Sequence, residues 1–362
     1  MANAKPTIAD VAREAGVSKG LVSFALNDRP GVSPDTRERI LGVADKLGWR
    51  PSLRARSLST STAFALGLVI ARDPDVIAGD PFFPALISGI EIALAPVGQA
   101  LVLSMVANEA AEVDAYRRLA ENGRVDGVIL SDLRRGDSRL GLIESLGLEA
   151  VTLGHPDVAS PFPAVSLDDG PGIRSAVAHL VELGHRRIAH IGGPTTMLHG
   201  ARRAESFRSA LRDAGLDDSF VVETDFTAAD GARATVRMLE SPNRPTAIVY
   251  ANDPMAIAGL GVAQRAGLRV PDDLSITGFD GSDVGAYIHP SLTTVKTEAQ
   301  NWGFRAASHL LRVIAGDTVD DIELEPARLV IRESSAAPPS SAAPPTNATS
   351  PTNATSPTRP AQ

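Results

Sequence analysis

The sequence predicts two architectures in one chain: a small all-α unit at the N-terminus, then a two-lobed α/β body. Three observations carry this. Up to about residue 60, apolar residues recur at helical spacing between cap and turn residues. From Ala65 onward, short apolar runs alternate with helical stretches. The length, 362 residues, exceeds what one ordinary core holds. Charge divides the chain at the same place. Residues 1–60 hold ten lysines and arginines against six acids, a net +4, so with −8 overall the remainder carries −12. A basic head on an acidic body points to a polyanion met by the head alone.

The first helix starts at Thr7-Ile8-Ala9-Asp10, which reads as a capping box with Asp10 in the place usually held by Glu or Gln. Ile8, Val11, Ala12 and Ala15 then share one helical face. Gly16 supplies a turn, and Ser18 caps a second helix running to about Leu26. Ser33-Pro34 opens a third, with Ile40, Val43, Ala44 and Leu47 on its inner face. Ser52–Thr62 is rich in Ser and Arg and too polar for an independently stable helix, so it reads as a linker. In the body, Leu66–Ile70, Leu101–Leu103, Val128–Leu130, Ala150–Leu153, Ile188–Ile191, Ile248–Tyr250 and Leu274–Ile276 read as strands of parallel sheets built from βαβ crossovers. Such a body suits two lobes with a crevice at the carboxyl ends of the strands. From Ser334 the chain repeats SSAAPP and PTNATS without apolar periodicity, which predicts disorder over 334–362. The two Asn-Ala-Thr triplets there match the glycosylation pattern by coincidence on this reading.

Composition narrows the function classes. There is no cysteine, so thiolate metal sites, disulfides and thiol nucleophiles are excluded. No window holds the roughly twenty apolar residues of a membrane helix, and MANAKPTIAD has no apolar signal region. A cytoplasmic protein with no membrane partner is the expectation, and nothing calls for a cofactor.

Thr7 to Ser18 (TIADVAREAGVS) is a helix–turn–helix candidate that presents the start of the second helix to a major groove. Together with VSFALN, VSPDTRERI and LGWRPS, this segment resembles the headpiece of the lactose/galactose repressor (LacI/GalR) family, and the likeness extends over about 330 residues. The resemblance implies a helix–turn–helix headpiece over 1–50, a hinge over 51–62 and a type I periplasmic-binding-protein-like effector domain over 63–333. Within that domain it places lobe 1 at about 63–160 and 293–333 and lobe 2 at about 161–292. It also implies a homodimer on double-stranded operator DNA. Thr7, Ser18, Lys19, Gly20, Leu21, Ser23, Phe24 and Asn27 fall on the implied DNA face. Lys19 and Gly20 hold the two base-reading positions, and a lysine there donates to guanine O6 and N7 or else contacts phosphate. Phe24 departs from the family pattern, which usually has arginine; its ring touches a thymine methyl or simply packs. Ser52–Leu58 resembles the family's hinge helix, with Arg54 and Arg56 neutralising phosphate and Leu58 wedging between base steps.

In the body the resemblance implies a small, sugar-like effector between the lobes. Phe83, in Asp80-Pro81-Phe82-Phe83-Pro84, and Phe226 would form opposite aromatic walls. Arg203 would bond effector hydroxyls or carboxylates as a rigid fork, while Met197 and His199 stand where relatives vary with ligand. Asn252, Asp253 and Asp280 follow strands, at the ends where open α/β folds bind ligands. Asp157 and Lys296 complete the set. Structural readings stand beside these: adjacent phenylalanines are often core, and Asn252 or Asp253 can cap the helix after Pro254.

Two rivals come from other classes. An enzyme would use the Asp, His and Arg at strand ends, but the sequence holds no GxSxG elbow, GxxxxGK[ST] loop or HExxH motif. A solute-binding protein shares the two-lobed body but has no use for a basic helical head.

Overall fold

The computed structural model describes residues 6–26, 29–50, 62–72 and 74–339. Asn27, Arg54, Arg56 and Leu58 lie outside the described residues, as does the chain from residue 340.

The N-terminal unit is three helices, α1 (Ile8–Ala15), α2 (Lys19–Leu26) and α3 (Pro34–Lys46). Each begins where its cap residue predicts. The Asp10 carboxylate accepts from the Thr7 N–H at 2.9 Å and from the Thr7 hydroxyl at 2.7 Å. Ser18 Oγ accepts from the Leu21 N–H at 3.1 Å, and Ser33 Oγ from the Thr36 N–H at 3.4 Å. The core is small: Val11, Ala12, Ala15, Val22, Ala25, Ile40 and Ala44. Burying a full-sized aliphatic side chain is worth about 1.5–3 kcal/mol, and four of these seven are alanine. Caps worth about 1 kcal/mol each therefore carry much of this unit's margin.

The body begins with β1 (Ala65–Ala71), α4 (Pro74–Gly79), α5 (Phe82–Leu94), β2 (Ala100–Val106), α6 (Glu109–Glu121), β3 (Gly127–Leu130), α7 (Arg139–Ser145), β4 (Glu149–Leu153) and β5 (Ala164–Ser166). A second lobe follows: α8 (Gly170–Glu182), β6 (Ile188–Gly192), α9 (Leu198–Asp213), β7 (Val221–Glu223), α10 (Ala228–Leu239), β8 (Ala247–Tyr250), α11 (Asp253–Arg265), β9 (Ser275–Asp280), α12 (Asp283–Tyr287) and β10 (Thr293–Lys296). The described elements close with α13 (Ala299–Ile314), β11 (Ile322–Glu323) and β12 (Arg328–Val330). The sheet orders are β11-β5-β4-β3-β1-β2 and β12-β10-β9-β8-β6-β7. Every pairing is parallel except that of β12 with β10.

Both faces of each sheet are covered, as parallel strands require. Along β1 the pleat sends Leu66, Leu68 and Ile70 into one apolar cluster and Ala65 and Val69 into another. α13 lies on α5 with almost no gap: a Cβ on Gly89 would collide with the Gln300 carbonyl, and one on Gly303 with the Leu86 carbonyl. Trp302 and Leu324 pack against clusters of both lobes, at the place where the chain passes between them.

The sheets correct the lobe limits expected from sequence. β5 pairs with β4 and so belongs to the first lobe, whereas β10 and β12 belong to the second. The lobes are thus joined after β5, after β10 and after β11. The reason is composition as well as length: β5 (AVS), β10 (TTVK) and β12 (RLV) hold no more than two apolar residues each, whereas β3 (GVIL) and β8 (AIVY), which are as short, hold three or more. Runs so short and so mixed give no strand signal and owe their place to non-local pairing.

The expected start of tail disorder is also corrected. Ser334 is buried; its Oγ accepts from the Thr293 N–H at 2.8 Å and donates to the Ile276 carbonyl at 2.6 Å, while its carbonyl accepts from the Ile276 N–H at 2.8 Å. Ala336 bonds Ser275 Oγ, and its carbonyl accepts from His185 Nε2 at 2.8 Å. The polar composition that reads as disorder here serves to fill unpaired groups at the foot of β9 and β10. Ser334→Ala should strand a buried N–H and a buried carbonyl, costing about 1–3 kcal/mol. Urea unfolding with an unchanged midpoint would contradict this docking.

Candidate functional site

A cavity of about 300 Å³ lies between the carboxyl ends of the two sheets. Most of its polar wall is delivered by strand ends, the rest by helices. β1 leads into Arg72, β3 into Ser131 and Asp132, β4 into Gly154 and His155, and β5 into Leu167, Asp168 and Asp169. On the second lobe β8 leads to Asn252 and β9 ends at Asp280, while the first two turns of α9 supply His199, Arg202 and Arg203.

Backbone strain gathers here. Four non-glycine residues among those described have positive φ, and three of them line the cavity: Asp132 (51°), Phe226 (69°) and Asp280 (101°). Residues held in such conformations persist where their surroundings over-determine them. For Phe226 the restraint is visible: Asn252 Nδ2 donates to its carbonyl at 2.9 Å, and the ring lies against Gly193, where a Cβ would collide with it.

Two buried guanidiniums dominate the electrostatics. Arg72 Nε and Nη2 each donate to Asp132 at 2.6 Å, a bidentate pair. Burial alone would raise the Asp132 carboxyl, but the Arg72 charge and its hydrogen bonds outweigh burial and hold it at about 2. Arg203 Nε donates to Asp169 at 2.9 Å and Nη1 to the Ala251 carbonyl at 2.6 Å, and its guanidinium stacks 3.7 Å from the Phe279 ring centroid. Burial pushes His199 down to about 3, so the imidazole is neutral and its Nε2 lies 3.4 Å from Arg72 Nη2. Asp80 and Asp280 move the other way: burial raises both, and Asp80 further raises Asp280. Among the described residues the Asp80 carboxylate accepts only the Phe82 N–H, at 3.0 Å, and no hydrogen bond reaches the Asp280 carboxylate.

Of the residues singled out from sequence, Phe83, His199, Arg203, Phe226, Asn252 and Asp280 lie on the cavity wall. Four do not. Asp157 is exposed and accepts from the Gly136 N–H at 2.9 Å. Lys296 pairs with Glu298 at 3.4 Å. Met197 sits just before α9, with its sulfur 3.6 Å from Arg72 Nη2. Asp253 is buried, its carboxyl raised to about 6 by burial, and accepts from the Ser282 N–H and the Thr294 hydroxyl, both at 2.6 Å. It braces the loop after β9 rather than facing a ligand. Asn252 combines both readings, since its Oδ1 also caps α11 by accepting from the Met255 N–H at 3.0 Å.

Sequence reasoning missed Arg72, Asp80, Asp132, Asp168 and Asp169. The strand-end rule that selected Asn252 and Asp280 applies equally to Arg72 and Asp132, because both follow strands that were read correctly. Asp168 and Asp169 follow β5, which was not.

On the headpiece, Ser18, Lys19, Gly20 and Phe24 are exposed while Val22 and Ala25 are buried, so one face of α2 is free. Leu21 and Ser23 are half-buried at its edge, and Thr7 is exposed at the start of α1. The Arg29 guanidinium lies over the Phe24 ring, 5.9 Å from its centroid, so a cation stands beside this face despite the ring.

Comparison with known proteins follows this division. Residues 7–52 match the model for bacterial regulatory proteins of the lacI family, and residues 177–335 match a periplasmic binding protein-like domain. The chain is 33% identical to the HTH-type transcriptional regulator CelR of Thermobifida fusca, over 91% of this chain and 98% of that one. The chain belongs to the LacI family. Catabolite control protein A of Priestia megaterium is 31% identical over 91% of this chain and 99% of its own. Among solved structures, a CelR–cellobiose complex superposes with a TM-score of 0.70 at 32% identity, covering 91% of this chain and 99% of that one. A lac repressor dimer bound to operator and the anti-inducer ONPF gives 0.80 at 27% identity, covering 92% and 99%. As a LacI-family member this chain is a DNA-binding transcription regulator and not an enzyme. No helix among its described residues is long and apolar enough to cross a membrane.

The Arg72–Asp132 pair has a measurable signature. Because the folded-state pKa of Asp132 is depressed, its contribution is complete above the ordinary carboxylate value near 4 and is lost as pH falls through about 2. The depression corresponds to about 2 kcal/mol. Asp132→Asn should therefore be less stable than wild type at pH 7, with the gap closing toward pH 2. Denaturation curves at pH 7, 4 and 2 showing a constant gap would contradict the pairing.

Proposed function

We propose that this regulator's grip on its operator is set by a small, uncharged, hydroxyl-rich effector, sugar-like in chemistry, bound between the lobes of a homodimer. The charge inventory of the cleft carries the reading. Its wall holds six carboxylates, Asp80, Asp132, Asp168, Asp169, Asp280 and Glu323, against three guanidiniums, Arg72, Arg202 and Arg203. The two buried cations are already answered, Arg72 by Asp132 and Arg203 by Asp169. What stays open is acceptor capacity: the Asp280 carboxylate, one oxygen of Asp80, and the buried Oδ1 of Asp169, beside the buried Ser131 hydroxyl. A ligand rich in hydroxyl donors with an apolar ring face satisfies such a wall. A phosphate ester meets an acid-rich wall whose burial already raises Asp80 and Asp280 against negative charge, and in a low dielectric the added repulsion is strong. The cellobiose held by the related CelR is an uncharged sugar of this kind.

Coupling to DNA follows from linkage. An effector shifts the balance between two arrangements of the lobes only by binding one of them better, so operator DNA must change effector affinity by the same factor. The headpieces of two chains would read two half-sites one helical turn apart, with Lys19 donating to a base edge and Arg54 and Arg56 supplying phosphate contacts. Leu58 would enter the minor groove. Induction is the sense of response proposed.

Calorimetry and operator binding test the effector half together. Asp280→Asn and Arg203→Lys should each weaken an effector sugar at least tenfold while leaving effector-free operator affinity within a few fold. Intact sugar binding in both variants would move the site elsewhere. The DNA half has its own test. Lys19→Ala should relax preference at one base pair, at about 1–3 kcal/mol, whereas equal weakening on every sequence would make Lys19 a phosphate contact.

A further inference from the structure

The slot between Phe83 and Phe226, which the family resemblance assigns to the effector ring, already holds something. The Arg72 guanidinium carbon lies 5.4 Å from the Phe83 centroid and 5.1 Å from the Phe226 centroid. Phe83 belongs to α5 of the first lobe, while Phe226 stands on the second, just before α10. The cation is fixed from its own lobe by two 2.6 Å bonds to Asp132. Toward the other lobe it approaches Met197 Sδ at 3.6 Å and His199 Nε2 at 3.4 Å. His199 itself stacks on Phe226, with centroids 5.2 Å apart and planes 17° from parallel. A planar cation is well suited to an aromatic face in a desolvated place.

The lobes touch beside this slot through their backbones. The Leu198 N–H donates to the Leu133 carbonyl at 2.8 Å, and the Arg135 N–H to the Thr196 carbonyl at 3.1 Å. The Leu198 side chain joins the apolar cluster of the first lobe. The loop that receives it is held rigid from below. Arg139 donates to Glu112 at 2.7 Å, to both oxygens of Asp137, and to the Ser131 and Asp132 carbonyls at 3.0 Å each.

We propose that Arg72 is a resident occupant of the aromatic slot. It latches the two lobes together before any effector arrives, and it bounds the effector site as a wall, so that the effector binds in the adjoining cavity and not between the two rings. The surroundings agree with this placement. The open acceptors, Asp280, Asp80 and Asp169 Oδ1, line the cavity beside the slot. The groups within the slot, by contrast, already have partners. Arg72 is therefore a positioning and specificity residue: it fixes how long a ligand the cleft admits and how far the lobes open unaided. This deepens the effector reading of the same cleft, yet its decisive test needs no effector.

That test is amide hydrogen exchange on the effector-free full-length protein, read at Leu198 and Arg135, the two N–H groups bonded across the cleft. In the wild type both should be protected. Arg72→Ala should speed their exchange at least tenfold while leaving amides of the central strands β1 and β8 unchanged. Because that substitution strands Asp132 in the interior, Phe226→Leu serves as the second variant: it keeps the Arg72–Asp132 pair, removes the second-lobe ring, and should give the same local loosening. If both folded variants keep wild-type exchange at Leu198 and Arg135, Arg72 is no latch and the proposal falls. A size series read by thermal shift tests the wall. Arg72→Ala should gain binding of sugars one ring longer than the longest the wild type accepts, and an unchanged size limit would overturn that part. Absence of any sugar response in the wild type would instead count against the effector reading, leaving the exchange result to decide the latch.

Discussion

A guanidinium taken out of water must keep a carboxylate within reach, because an unpaired charge in the interior costs several kcal/mol, roughly 3–5 when a partner is removed. Three arginines of the body live under this constraint, and much of the cleft is arranged to meet it. Arg139 draws Glu112 and Asp137 around the loop after β3. That loop presents Asp132 at positive φ, where it meets Arg72. On the second lobe Arg203 engages Asp169, which stands at the N-terminus of α8 where the chain has just left β5, so this pair pins the start of α8 to α9. Because each pair neutralises itself, the cations lend shape and hydrogen-bond direction to the cleft without giving it positive charge.

Parallel sheets make this arrangement economical. When all the central strands of a sheet run the same way, every loop that leaves a carboxyl end emerges at one edge. Two such edges facing each other deliver side chains from β1, β3, β4, β5, β8 and β9 into one small volume. Strain at Asp132, Phe226 and Asp280 is the local cost of turning those loops tightly enough, and it is offset by bonds such as that from Asn252 to the Phe226 carbonyl.

The fold was legible wherever the signal was local. Caps at Thr7, Ser18 and Ser33 and the apolar runs of β1, β3, β4, β6 and β8 located helices and strands, because those residues act on their own segment. Pairing partners far along the chain were not legible: Thr293–Lys296 and Arg328–Val330 hold one and two apolar residues, too few for a strand signal, and their sheet is chosen by Ser275–Asp280, against which β10 lines up. The site divides in the same manner. Arg203, His199 and Phe226 stood out through the family resemblance and Asp280 through its strand end, whereas Arg72 looked like any arginine after a strand. Its importance arises from Asp132 and Phe226, which lie 60 and more residues away and meet it only in three dimensions. Asp253 misled for the opposite reason, as an acid at a strand end that turns inward to brace a loop.

The route of the chain between the lobes has a consequence in time. The first lobe is left after β5 and completed only when α13 arrives, more than a hundred residues later, to lay Ala306, Ala307 and Leu310 against the cluster that holds Leu66, Leu68 and Val151. At synthesis rates of about 5–20 residues per second, that face of β1, β3 and β4 has only α5 to cover it for on the order of ten seconds. The second lobe waits as well, since β12 and Ser334 close its sheet last. The headpiece, whose apolar cluster lies within the first fifty residues, is finished long before either. During that interval the nascent chain carries a complete helical head on an unfinished body with a partly open apolar face. Such a face is the kind of surface that folding assistants recognise, and it makes this stretch of synthesis the most aggregation-exposed moment in the protein's life.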